Sequence, residues 1–315
     1  MNIINGEREM RQELMHTLAE CARDDKRILF LDSDLASSSG SNIFQEAHPG
    51  RFFNCGIQES NMVAVAAGLS AGGFVPFAHS FAAFMSRRTA DQIFMSCAYA
   101  KQNVRLIGSD PGVAGSANGG THMALEDVAI LRSFPGVTIL DPSDPEMLRQ
   151  LVTESLERPG VYYIRLQRKT KAKIYSSDNV YRIGKAHLAL DAGTDATIIS
   201  AGFIGMVEAL KAAEQLEADG VKVRVLDMHT LSPLDADAVF SAAKETGAIV
   251  TLDNHNINGG LGSMVAEVLA GGPQVKFKRL GATGFGEVGT LDYILEKFGM
   301  NAAAVARTVR ELLGK

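Results

Sequence analysis

The chain has 315 residues, of which 46% are hydrophobic and 21% charged, the composition of an ordinary globular protein long enough for about two domains. With 31 Lys and Arg against 36 Asp and Glu the formal net charge is −5, so no general basic field favours nucleic-acid binding. No stretch approaches the roughly 20 uninterrupted apolar residues of a membrane span. The segment Met1 to Arg11, carrying Glu7, Arg8, Glu9 and Arg11, lacks the apolar core of a secretory signal. A cytoplasmic protein with no nucleic-acid and no membrane partner is expected. Three cysteines, Cys21, Cys55 and Cys97, without CxxC spacing, fit a reducing compartment and read as small buried hydrophobes, with no metal site of their own.

In chain order, apolar runs predict strands at Ile28-Leu29-Phe30-Leu31, Phe74-Val75-Pro76-Phe77, Val104-Arg105-Leu106-Ile107, Val137-Thr138-Ile139-Leu140 and Val161-Tyr162-Tyr163-Ile164. Helical patterns lie between most of them, which implies a largely parallel sheet covered on both faces. This first α/β unit is expected over residues 1–170. The basic, turn-prone Arg168 to Lys173 and the polar Ser176-Ser177-Asp178-Asn179 follow, and residues 171–190 read as a linker. A second α/β unit, 191–315, has predicted strands at Ala196–Ile199, Val221–Leu226, Ala248–Leu252 and Val275–Phe277, with a helical pattern from Gly205 to Leu216. The fold class is therefore α/β, two domains, each a mostly parallel sheet flanked by helices. The GxGxxG at Gly284–Gly289 lies too near the C-terminus to open a dinucleotide-binding unit and reads as a turn before the final helices. No GxxxxGK[ST] is present.

Two segments concentrate chemistry. Glu59, in Gly56-Ile57-Gln58-Glu59-Ser60-Asn61-Met62, stands directly ahead of the uncharged Val63 to Leu69. A carboxylate entering such a helix is either a proton handler in a dry setting or a complement to the helix dipole, and its neighbours do not decide between them. The loop Gly108 to His122 follows a predicted strand and precedes a helical pattern at Met123 to Asp127, so it emerges at the carboxyl end of the sheet, where open α/β folds place ligands. His122, at its end, can relay a proton or donate to a substrate oxygen, or simply cap the helix.

Taken together, Gly56 to Met62 with its Ala/Gly helix, Ser80-Phe81-Ala82-Ala83-Phe84 with Arg88 to Gln92, Gly119-Gly120-Thr121-His122 into Ala124 to Asp127, Asp141-Pro142-Ser143-Asp144 and Ile164 to Arg168 resemble the transketolase family. Asp253-Asn254-His255 with Gly259 to Gly262 resembles that family's C-terminal domain. The resemblance covers a pyrimidine-binding domain and a C-terminal domain. It lacks the domain that grips the diphosphate of thiamine diphosphate, so it implies one subunit of a split transketolase.

Several expectations follow from the resemblance. The function is transfer of a two-carbon ketol unit between sugar phosphates, with thiamine diphosphate shared with a separate N-terminal subunit that holds Mg2+ or a similar ion. The assembly is a heterotetramer containing a dimer of this chain. Glu59 serves N1′ of the aminopyrimidine as a proton-bearing partner; Phe81 and Phe84 pack on that ring; Asp34 lies near the cofactor. Arg11, Ser41, Ser109, Asn118, His122 and Arg168 take the substrate side, arginine suiting phosphate through its planar fork, and His122 is also catalytic. Arg87 stands where single-chain members often carry an aromatic, and Ser109 and Asn118 where they carry His and Asp, which keeps hydrogen bonding but alters charge and reach. The beta subunit of a 2-oxo acid dehydrogenase and a non-catalytic assembly subunit are the alternatives; a deoxyxylulose-phosphate synthase fits less well.

Overall fold

Each of the nine apolar runs lies in or overlaps a strand in a computed structural model of the chain, which describes residues 4–176 and 178–315. The expected turn at Ser177 and the first three residues of the polar N-terminus lie outside the described residues. The first unit comprises β1 (Ile4–Asn5), α1 (Met10–Asp24), β2 (Ile28–Asp32), α2 (Ala36–Ser39), α3 (Asn42–Ala47), β3 (Phe52–Asn54), α4 (Glu59–Ala71), β4 (Val75–Phe81), α5 (Ala82–Arg87), α6 (Ala90–Gln92), β5 (Val104–Ser109), α7 (Asp127–Leu131), β6 (Val137–Leu140), α8 (Pro145–Glu157), β7 (Val161–Leu166) and β8 (Ala172–Lys173). The second comprises β9 (His187–Asp191), β10 (Ala196–Ser200), α9 (Gly202–Ala218), β11 (Val223–Asp227), β12 (Thr230–Ser232), α10 (Ala236–Glu245), β13 (Ala248–Asn256), α11 (Leu261–Ala270), β14 (Lys276–Ala282), α12 (Leu291–Lys297) and α13 (Ala302–Leu313).

The first sheet has the order β12-β6-β7-β5-β4-β2-β3 and is parallel except for β12, a strand contributed by the second unit and antiparallel to β6. The second has the order β14-β13-β10-β11-β9 and is parallel except for β9. β5 and β7 are buried along their whole length, as expected of strands covered on both faces. The segment expected as linker carries β8, which pairs with β1, and the first four residues of β9.

Helix ends follow local chemistry. Asp144 caps α8, its Oδ1 accepting the Glu146 N–H at 2.8 Å, with Pro145 at the first helical position where its missing donor costs nothing. The same carboxylate accepts the Ile174 N–H at 2.9 Å through Oδ2, tying the strap after β8 to the helix. In α4 the buried positions Met62, Val63, Ala66, Ala67 and Ser70 recur at helical spacing and seat it on the sheet.

One expectation is corrected. Residues 123–126 are not helical, and α7 begins at Asp127. Their backbone is already engaged: Gly112 donates to the Ala124 carbonyl at 3.1 Å and Asn256 to the Leu125 carbonyl at 2.8 Å. His122 therefore ends a loop and caps nothing. Of the cysteines, all free, only Cys97 is buried, and burial pushes its thiol up to about 12; Cys21 and Cys55 are half-buried. No helix among the described residues is long and apolar enough to cross a membrane.

The two units share a buried ionic seam. Arg165, fully buried on β7, donates through Nε to Asp127 Oδ2 at 2.9 Å, through Nη1 to Asp141, and through Nη2 to the Asn254 carbonyl at 2.8 Å. Burial alone would push its guanidinium down, but Asp127 and Asp141 hold it above its ordinary value. Asn254, on β13, continues the seam: its Oδ1 accepts the Val113 N–H at 2.9 Å and its Nδ2 donates to the Pro111 carbonyl at 3.1 Å. Gly112 between them sits at φ +60°, and a Cβ there would lie 2.1 Å from Asn254 Oδ1, so only glycine fits.

Candidate active site

The residues singled out in the sequence gather at the carboxyl ends of the parallel strands, the side of the sheet where α/β folds bind ligands. Glu59 is the first residue of α4, just after β3; Phe81 closes β4; Ser109 closes β5; Arg168 follows β7 by two residues. The strands bring together positions separated by more than 100 residues.

Glu59 is 3% exposed. Ser80 Oγ donates to its Oε1 at 3.1 Å, and Arg88 Nη1 reaches Oε1 at 3.2 Å and Oε2 at 3.1 Å. The carboxylate is thus sunk at a helix entrance with one hydroxyl and one half-exposed guanidinium as its fixed partners. Arg88 lies 4.0 Å over the Phe84 ring, a cation–π contact that orients it toward Glu59.

Phe84, Phe81 and His122 form a three-ring wall. Phe84 and His122 are 5.1 Å apart, Phe81 and His122 6.1 Å, and Phe81 and Phe84 6.1 Å, all edge to face. The half-buried His122 has Thr121 Oγ1 3.0 Å from its Nδ1. Arg87 secures the same loop, donating to the Thr121 carbonyl at 2.7 Å and pairing with Glu126 at 3.2 Å. Asn118 is exposed on the loop. Gly119, at φ +81°, meets the 286–289 turn of the second unit, where a Cβ would come 2.8 Å from Val288 Cγ2. The GxGxxG segment is thus the turn ahead of α12, resting on this loop.

The other end of the wall is basic. Arg168 lies 4.8 Å over the Phe81 ring. Its Nε donates to Asp110 Oδ2 at 2.8 Å, its Nη2 to the same carboxylate, and its Nη1 to the Ser38 carbonyl at 3.2 Å. Arg11 Nη1 shares that carbonyl at 2.7 Å, and its Nε donates to Glu9 at 2.6 Å. Unbroken contact therefore runs from Glu59 through Arg88, Phe84, His122, Phe81 and Arg168 to Arg11.

Four expected site residues stand apart from this line: Asn118, exposed on the loop, and Ser41, Ser109 and Asp34. Ser41 and Ser109 are fully buried and face inward. Ser41 Oγ donates to Asp32 Oδ2 at 3.2 Å, and Ser109 Oγ lies 3.0 Å from His79 Nε2. Both belong to a tier beneath the wall, centred on Asp32, with His79 Nδ1 3.3 Å from its Oδ2 and Ser39 Oγ at 3.1 Å. Burial alone would raise the Asp32 carboxyl, but His79, the Leu35 N–H and Ser39 hold it below the usual carboxylate range. Asp34 is exposed at φ +65° on the following turn and accepts from Asn54 Nδ2 at 2.8 Å.

Sequence reasoning assigned no role to Arg88, Ser80, Asp110, Asp32 or His79. Arg88 is 29 residues from Glu59, and no local spacing reveals a pairing made across the strand order. Asp110 carried a faint signal, an acid at the end of a strand directly before Pro111, and it adopts a positive φ of 50°.

For the aminopyrimidine of thiamine diphosphate the residues fit: a sunken carboxylate beside a hydroxyl donor, next to apolar ring surface suited to a flat heterocycle. The transketolase pyrimidine-binding domain model matches residues 7–172, and the transketolase C-terminal domain model matches residues 184–305. The chain is 44% identical to the 6-deoxy-6-sulfo-D-fructose transketolase subunit of Clostridium sp. (strain MSTE9), over 96% of this chain and 94% of that one. It is 36% identical to one of the subunits of the apulose-4-phosphate transketolase of Phocaeicola vulgatus, over 97% of each. A solved split gene transketolase, described as an inactive beta4 tetramer, superposes with a TM-score of 0.90 at 36% identity, covering 98% of this chain and 99% of that one. The chain belongs to the transketolase family, thiamine diphosphate-dependent enzymes, and corresponds to the subunit of its split members that joins the pyrimidine-binding to the C-terminal domain.

Proposed function

We propose that this chain is the catalytic-carboxylate subunit of a two-chain transketolase, moving a two-carbon ketol unit between sugars that carry a terminal anionic group. One observation carries the reading: Glu59 is buried at the entrance of α4 and linked by continuous contact, through the Phe84–His122–Phe81 wall, to the arginines at the far end. Phosphate is the expected terminal group; the named substrates of the two relatives carry a phosphate in one case and a sulfonate in the other.

When bound, thiamine diphosphate supplies the nucleophilic carbon that accepts the two-carbon unit. Glu59 would hold a proton toward N1′ of the bound cofactor, with Ser80 Oγ engaging one carboxyl oxygen and leaving the other, now on Arg88, to serve the ring. Arg88 must yield part of its contact for that oxygen to carry a proton, and its half-exposed position over Phe84 lets it swing without losing the ring. Phe81 and Phe84 exclude water from the pyrimidine edge. His122, at the centre of the wall, donates to the sugar oxygens nearest the reacting carbon. Arg168 and Arg11 orient the anionic end. In this reading the exposed Asn118 reads a sugar hydroxyl from the loop, Asp34 lies at the cofactor margin, and Ser41 and Ser109 act from beneath the wall. A separate N-terminal subunit holds the diphosphate and a divalent ion, and two copies of each chain assemble.

The test is co-expression with that partner and comparison of Glu59→Ala and Glu59→Gln with the wild type. Ketol transfer should fall at least about a hundredfold, the scale of a lost acid–base group. Transfer retained at wild-type rate with thiamine diphosphate bound sinks the assignment of Glu59.

A further inference from the structure

The four arginines of the site are each already paired with an acid: Arg11 with Glu9, Arg87 with Glu126, Arg88 with Glu59, and Arg168 with Asp110. The Arg168 pairing matters most. Nε and Nη2 form the edge of the guanidinium that grips an oxyanion with two parallel bonds, and Asp110 occupies both. Nη1 is spent on the Ser38 carbonyl. The pair is tightly held, with the Arg168 side chain 10% and the Asp110 side chain 16% exposed. Asp110 Oδ1 also accepts the Arg168 backbone N–H at 3.3 Å, and the Asp110 backbone N–H donates to the Leu166 carbonyl at 2.9 Å. The carboxylate is therefore built into the turn. Because Asp110 holds a positive φ, which Asp adopts more readily than most residues, the turn aims its side chain at this arginine.

A pocket designed for a phosphate dianion would leave at least one guanidinium edge unopposed. Here the fixed charges at the basic end cancel, and any incoming oxyanion shares Arg168 with a carboxylate. The cost of desolvating an oxyanion rises with the square of its charge, and a site whose fixed charges cancel supplies no net attraction that grows to match it, so a second negative charge is penalised far more than the first. We propose that Asp110 is a specificity-determining residue that sets the basic end for a singly charged terminal oxyanion, a sulfonate or a phosphate monoester carrying one proton, in preference to a phosphate dianion. The proposal rests on the ketol-transfer reading above and narrows its substrate class.

The enzyme reconstituted with its partner subunit and thiamine diphosphate is assayed with two ketose donors of equal chain length, one ending in sulfonate and one in phosphate, from pH 6 to pH 8.5. A sulfonate stays singly charged throughout, whereas a phosphate monoester gains its second charge near pH 6. At pH 8 the wild type should favour the sulfonate in kcat/KM by about tenfold or more, and the gap should narrow toward pH 6. Asp110→Asn, which keeps the positive φ accessible, should cut the pH 8 preference about tenfold; Asp110→Gly is the second variant, and thermal melting confirms that each is folded. A wild type that prefers the phosphate at pH 8, or a preference that both folded variants leave within twofold, overturns the proposal. Absence of ketol transfer from both donors would instead overturn the transketolase reading itself, and this inference with it.

Discussion

Replacing Arg165 by Met should destabilise the chain and loosen its active-site loop together. The side chain is fully buried and makes three charge-assisted hydrogen bonds, to Asp127, Asp141 and the Asn254 carbonyl. Methionine fills much of the volume but leaves two carboxylates and a carbonyl facing one another without a cation. Breaking a buried pair by removing one partner costs about 3–5 kcal/mol, whereas replacing the whole group with apolar residues costs little. Two carboxylates are stranded here, so the upper part of that range applies at neutral pH. A total stability of about 5–15 kcal/mol would lose a large fraction, and the melting temperature should fall by on the order of 10 °C.

The deficit should depend on pH. Burial already raises the Asp141 carboxyl to about 6 with Arg165 opposing it; without the guanidinium it binds its proton still more tightly in the folded chain, so the variant regains stability as pH falls from 7 toward 5. Urea denaturation followed by circular dichroism at pH 5, 6 and 7 measures both effects. Because the Asn254 side chain tethers Pro111 and Val113, hydrogen exchange over residues 111–122 should also accelerate. A loss below 1 kcal/mol, or an equal loss at all three pH values, would refute the view that the Arg165 cation balances buried carboxylate charge.

Two further substitutions probe buried carboxylates away from the site. Asp144→Ala removes an N-cap from α8 and the acceptor for the Ile174 N–H in one step, and should cost about 2 kcal/mol in denaturant titration, more than a cap alone. Asp227 is buried, accepts from Ser143 Oγ at 2.6 Å and Tyr175 Oη at 2.7 Å, and has one oxygen without a partner. Burial raises its carboxyl from 3.8 to about 7. A carboxyl raised on folding contributes stability below its unfolded value and loses it as pH rises through its folded value. Relative to Asp227→Asn, the wild type should therefore lose up to about 1.4 kcal/mol per pH unit between about pH 4 and pH 7. Parallel stability–pH curves for the two proteins would contradict this.

The elements and most of their order were legible from the amino acids alone, because strand and helix identity are local. Val104 to Ile107 and Val161 to Ile164 are apolar runs long enough to be central strands only if buried on both faces, and α4 is announced by an uncharged run after Glu59. Motifs in fixed order carried the family resemblance for the same reason, since each is a short stretch whose residues act together. The short edge strands β3, β9 and β12 are not legible because three to five residues with mixed burial have no readable period.

Pairing, by contrast, arises only on folding. Glu59 with Arg88, Asp110 with Arg168 and Arg165 with Asp141 and Asn254 are made by strand order and by the docking of two units, which no sequence spacing encodes. The helical pattern at residues 123–126 lost to such pairing, since Gly112 and Asn256 claim the carbonyls a helix would use. Ser41 and Ser109 were legible as polar but not as buried; the direction of a hydroxyl depends on Asp32 and His79, which reach them from β2 and β4. The charge balance of the basic end is of the same kind. Composition counts arginines and aspartates, but only the fold places one against the other.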